Sequence, residues 1–152
     1  MRRVLVVAVS LLALVACGRV HRNADGTTVI HGHDGSTITV GQGGLTGQNP
    51  PAHMPAFLKV FPGATIKSTI DTGKSGGMMT METSAAPDAV IDFYKGEAKA
   101  AGLDAQMDMN NEGSHSVLFA EPKDKGKRNF NVNASKQPGG KTQALLMFNE
   151  QS

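Results

Sequence analysis

Five methionines fall in two short stretches: Met78, Met79 and Met81 in "GGMMTMET", and Met107 and Met109 in "AQMDMNN". Thioether sulfur is a soft ligand that favours Cu(I). On an extended chain residues two apart share a face, so Met79 with Met81, and Met107 with Met109, form two candidate metal-ligating pairs. His31 and His33 of "HGHD" could add imidazoles, as could His53 beside Met54. The same thioethers are also adaptable filling for an irregular core, and this chain has only six Phe, one Tyr and no Trp. Core packing is the expectation, and a copper-binding protein the alternative. A zinc site fits less well. Structural zinc takes four ligands, and only Asp34 and His21 lie near the His31/His33 pair.

Hydrolytic chemistry has one candidate, Ser114-His115-Ser116. A nucleophile needs a base within hydrogen-bond reach and a third group to orient that base. Neighbours on a strand point to opposite faces, so His115 and Ser116 do not make such a pair, and no enzyme is expected. Gly73–Gly77, "GKSGG", lacks the Gly-x4-Gly-Lys-Ser/Thr spacing and the following helix of a phosphate-binding loop. No cofactor is expected either.

The only cysteine, Cys17, closes the stretch "LLALVACG". Met1-Arg2-Arg3 precede an apolar run from Val4 to Ala16 broken only by Ser10. A bilayer-spanning helix takes roughly 20 apolar residues; this run is shorter and has the layout of a secretory signal. Leu14-Val15-Ala16-Cys17 resembles the lipobox of bacterial lipoproteins: an aliphatic residue, two smaller ones, then the lipidated cysteine. The resemblance implies a signal peptide over residues 1–16, a diacylglycerol thioether on Cys17, cleavage before it and acylation of the new amine. Lipidation explains a solitary thiol, which would otherwise be exposed in an oxidising compartment. Two or more chains make attachment stable where one does not. The implied location is a lipid anchor facing the periplasm, and Gly18 after the cysteine resembles the class sorted to the outer membrane.

Of the 15 Lys and Arg residues, Arg2 and Arg3 lie in that leader, which leaves 13 against 13 Asp and Glu. A mature charge near zero gives no electrostatic reason to expect nucleic acid. The basic run Lys123, Lys125, Lys127 and Arg128, broken by Asp124 and Gly126, reads as a solvated hairpin turn.

The elements follow from turn chemistry and periodicity. "DGTTVIHG" (Asp25–Gly32) and "DGSTITVG" (Asp34–Gly41) repeat at a nine-residue offset. Asp-Gly favours tight turns and the Thr, Val and Ile sites favour strands, so residues 17–41 are expected to hold a two-stranded hairpin turning at Asp34-Gly35. Two copies fall short of the three or more that a calcium-binding β-roll stacks. Residues 42–51 are a Gly/Pro linker, and residues 52–152 a single domain. Its strands are expected near Ala64–Thr72 and Met78–Thr83. A helix over Pro87–Ala101 would start on Pro and Asp and stop at Gly102, with Val90, Phe93/Tyr94, Glu97/Ala98 and Ala101 as its apolar stripe. Strands near Ala105–Met109, Ser116–Glu121 and Asn129–Ala134 follow, with a further one over Gln143–Asn149. In the third, Asn129, Asn131 and Asn133 alternate with Phe130, Val132 and Ala134, the period of a half-buried strand. The order β-β-α-β-β-β makes an α+β fold, an antiparallel sheet with one packed helix.

Phe61-Pro62-Gly63, then Asp88, Val90, Phe93, Tyr94, Gly102 and Leu103, resemble a group of uncharacterised bacterial envelope lipoproteins over residues 50–105. The resemblance implies a non-catalytic envelope module. The expected partners are the membrane, through Cys17, and an envelope protein or small ligand.

Overall fold

The computed structural model describes residues 19–24, 28–33, 36–40, 49–73, 76–122 and 127–149. The signal segment, Cys17, the turn at Asp34-Gly35 and most of the Gly/Pro linker lie outside the described residues. Nine strands and one helix make an α+β fold: β1 (Arg19–Arg22), β2 (Thr28–His31), β3 (Thr37–Val40), β4 (Thr65–Asp71), β5 (Gly76–Thr83), α1 (Pro87–Ala100), β6 (Asp104–Asn111), β7 (Ser114–Ala120), β8 (Asn129–Lys136) and β9 (Thr142–Asn149). All strands join one open antiparallel sheet in the order β1-β2-β3-β4-β5-β9-β8-β7-β6.

Two expectations need correction. Residues 17–41 contribute three strands rather than two, because β1 folds back on β2 with Val20 opposite Ile30. That ribbon also continues the main sheet: β3 pairs with β4, Ile38 opposite Ile70. Four strands follow the helix where the order β-β-α-β-β-β counts three: the strand expected over Gln143–Asn149 is present as β9, and it is inserted between β5 and β8. The physical reason is shared. A strand edge with unpaired N–H and C=O groups gains by accepting another strand, and that choice of partner leaves no local trace in sequence.

The helix obeys its local signals. Pro87 starts it, Asp88 lies in its first turn, and the backbone leaves at Ala101. Gly102 takes φ +74°. Its N–H donates to the Lys99 carbonyl and the Leu103 N–H to the Ala98 carbonyl, the paired bonds of a Schellman stop. Leu103 and Ala98 are both buried, which supplies the apolar contact of that motif.

Alternation then assigns two faces. His115, Val117 and Phe119 on β7, Phe130, Val132 and Ala134 on β8, and Ala144, Leu146 and Phe148 on β9 are buried at every second position. α1 packs across this inner face, chiefly on β8 and β7, through Val90, Ile91, Tyr94 and Ala98. Residues 50–64 strap the same face beside the helix, with Leu58 buried and Phe57, Val60 and Phe61 packed against the core. Pro51, placed in the linker by sequence, is already buried there. Phe119 stacks on Phe130 at 4.7 Å between centroids, and Phe61 meets Phe93 edge-on at 5.4 Å. The Tyr94 hydroxyl donates to the Lys59 carbonyl at 2.9 Å, tying helix to strap. Burial pushes its phenol well above the usual range. Arg128 pairs with Glu121 across the β7–β8 connection and lies 5.4 Å over the Phe57 ring.

The outer face has no covering element among the described residues. Every exposed large apolar side chain described lies on it: Val20 (66%), Met107 (52%), Met109 (50%) and Met147 (38%).

Candidate functional site

Asp88, Asp92, Lys95 and Lys99 recur at intervals of four, three and four along α1, which puts them on one stripe of the helix. That stripe borders β6, the edge strand. Two features line the border, a histidine cluster at the helix N-terminus and a groove at its C-terminus.

His115 sits on the inner face of β7 with its side chain 8% exposed. Its Nδ1 is 2.7 Å from Asp88 Oδ1, and its Nε2 is 2.7 Å from Asp108 Oδ1 on β6. Both ring nitrogens can donate together only in the imidazolium form. Burial by itself would lower the His115 pKa, but the hydrogen bonds to Asp88 and Asp108 outweigh it, and the pKa is raised above 6.5. The Asp108 carboxyl is held below the usual carboxylate range, first by the Lys95 ammonium at 2.8 Å and then by His115. Asn110 Nδ2 lies 3.4 Å from Asp88 Oδ1. The cluster therefore latches the start of the helix to β6 and β7.

It is not built for nucleophilic chemistry of the kind Ser114-His115-Ser116 could suggest. Both ring nitrogens of His115 are engaged by carboxylates, and no lone pair is left for a base. Ser116 faces the other side of the sheet, where its hydroxyl is 3.4 Å from Asn131 Nδ2. A pocket of about 230 Å³ adjoins the cluster between Pro87, Asn110, Ser114 and Lys136.

Farther along the helix a groove of about 510 Å³ opens between the end of α1 and the β6–β7 hairpin. Leu103, Ala105, Phe119 and Pro122 make its apolar part, and Lys95, Lys99 and Asp104 its polar part. The Schellman stop fixes Leu103 there, because it turns the chain from the helix axis straight into β6. The arrangement offers an apolar bed with a cationic wall.

The metal candidates are placed apart. Met79 and Met81 share a face, as their spacing implied, but it is the inner one, where both are fully buried; the Met81 sulfur is 3.8 Å from the Tyr94 hydroxyl. Met107 and Met109 also share a face, the outer one, and three strands lie between β6 and β5. His31 is exposed on β2, 3.3 Å from the Thr37 hydroxyl, and His33 lies in the following turn. His53 contacts Asp71 instead, with its Nδ1 3.0 Å from Oδ1. The structure does not gather these residues into one constellation. Among the described residues there is no group of three or more His, Cys, Asp or Glu placed to hold a metal ion.

The Asp88–His115–Asp108–Lys95 network was not read from sequence. Its helical half was visible as the spacing of Asp88 and Lys95. Its strand half depends on the β6–β7 register, in which Asn110 opposes His115 and Asp108 opposes Val117.

A single helix held against one face of an open antiparallel sheet defines an α+β scaffold. Residues 64–143, more than half of the chain, match the model of the START domain-like family, and the chain belongs to that family. No curated protein and no solved structure matches it.

Proposed function

We propose that this protein is a non-catalytic, ligand-binding START-like module carried on a lipid anchor at the bacterial envelope, facing the periplasm and sorted to the outer membrane. The observation that carries the binding role is the family match over residues 64–143, which includes α1 and every residue of the groove. Such families are typically ligand-binding. The groove indicates the class of ligand: a small amphiphile with an acidic head, its apolar part on Leu103, Ala105 and Phe119. Lys95 already shares its charge with Asp108, so Lys99 is the head-group contact. The anchor rests on Leu14-Val15-Ala16-Cys17. An envelope protein that delivers or receives the ligand is the natural partner.

A fluorescent long-chain fatty acid titrated into the lipid-free Cys17→Ser protein tests the binding role. Saturable binding that Lys99→Glu weakens about tenfold, roughly 1.4 kcal/mol, supports it. Absence of saturable binding overturns it. The anchor is tested separately: the wild-type protein partitions into the detergent phase with lipid mass on Cys17, and Cys17→Ser moves to the aqueous phase.

A further inference from the structure

The outer face begins at the strand next to Cys17. Only Gly18 separates that cysteine from Arg19, the first residue of β1. An extended chain advances at most about 3.6 Å per residue, so β1 starts within roughly 7 Å of the anchoring residue. No spacer is available there. The linker expected over residues 42–51 comes after β3, in the connection between β3 and β4.

All four residues of β1 are exposed. Val20 points to the outer face, where it opposes Ile30, which opposes Ile38. Arg22, two residues from Val20, shares that face, whereas Arg19 and His21 point to the other. An apolar row beside an arginine suits an interface of acyl chains and acidic head groups, because arginine stems lie along apolar surface while their charged ends reach outward.

We propose that this outer row, Val20, Ile30 and Ile38 with Arg22, lies on an anionic bilayer surface, so that the protein stands on the membrane through β1. The proposal rests on the lipid-anchor reading above. Strand twist decides how much of the face takes part. Neighbouring strands rotate by about 20–25°, so nine of them accumulate roughly 160–200°, and the β6 end of the outer face turns away from any plane that β1 touches. Met107, equally on the outer face, is therefore held clear of the membrane.

The chain has no tryptophan, and Val20→Trp or Met107→Trp each adds one at an exposed site. The lipidated proteins are reconstituted into vesicles of phosphatidylethanolamine and phosphatidylglycerol, with part of the lipid brominated. Val20→Trp emission shifts to shorter wavelength and loses most of its intensity to the bromines, while Met107→Trp emission is unchanged. Adding Arg22→Glu restores most of the Val20→Trp signal. Hydrogen exchange on the unmutated protein gives a second readout, with the β1 and β2 amides slower on vesicles than in detergent micelles. Equal response of the two tryptophans, or none from Val20→Trp, overturns the membrane contact while leaving the anchor intact. Intact mass of the same samples separates the cases: no lipid on Cys17 overturns the anchor reading and this inference with it.

Discussion

β8 carries two surfaces on one strand. Phe130, Val132 and Ala134 face the helix and are fully buried, whereas Asn131, Asn133 and Ser135 face outward and are only half-buried. The inner surface interlocks with an aromatic pile, Phe119 on Phe130 and Tyr94 against both Phe130 and Phe93. The outer surface has small uncharged polar groups beside thioethers, with nothing from the same chain upon it among the described residues. The lesson is that methionine has no single meaning here. Met79 and Met81 are packing, surrounded on every side. Met107, Met109 and Met147 belong to a surface.

That contrast sets the order of expected effects. Phe130→Ala removes the ring on which Phe119, Tyr94 and Phe57 rest and is expected to cost about 3–5 kcal/mol in denaturant unfolding. A loss under about 1 kcal/mol would mean that the inner face is not the core.

Gly77→Val comes next. A Cβ at Gly77 would stand 2.7 Å from the Ile70 carbonyl oxygen and 2.7 Å from the Phe148 ring. Backbone and a buried ring yield poorly, so a loss of about 1–3 kcal/mol is expected, read as a lower melting temperature with unchanged circular dichroism at 20–25 °C, that is, about room temperature.

The histidine latch predicts a pH signature. The folded pKa of His115 is raised above its ordinary 6.5. Its contribution is therefore complete below that value and is lost as pH rises through the folded pKa. Asp71 behaves in the opposite sense. Burial would raise its pKa, but hydrogen bonds from the Gly73 and His53 N–H groups and from the His53 ring pull it below 3.8, so its contribution is lost only as pH falls through that lowered value. Unfolding midpoints from acid to alkaline buffer should show a plateau between the two. His115→Gln should flatten the alkaline limb and cost about 1 kcal/mol at mildly acidic pH, discounted for the exposure of Asp88 and Asp108. A wild-type limb that is already flat would remove the latch.

Met147→Thr, on the outer face of β9, should change stability by no more than about 0.5 kcal/mol. A larger loss in the same denaturant experiment would show that something covers that face.

Much of the C-terminal fold was legible. Turn residues and alternation located β4 to β9 to within a few residues, and Pro87, Asp88 and Gly102 bounded the helix. Its buried stripe was partly legible: Val90, Tyr94 and Ala98 appear in both, while Ile91 is buried without having been placed there. The candidate site was scarcely legible, because His115 and Asp88 are 27 residues apart, and only strand register and helix rotation bring them to 2.7 Å.

What the sequence alone determined is local: the hydrophobic period, the turn residues and the helix stop. Each depends on backbone geometry within a few residues. What tertiary structure alone decided is pairing. It joined the N-terminal ribbon to β4, placed β9 between β5 and β8, sent two methionine pairs to opposite faces, and set two carboxylates on one imidazole. Those contacts close over long stretches of chain, and their stability comes from burial and complementary charge rather than from any preference of the residues for their neighbours in sequence.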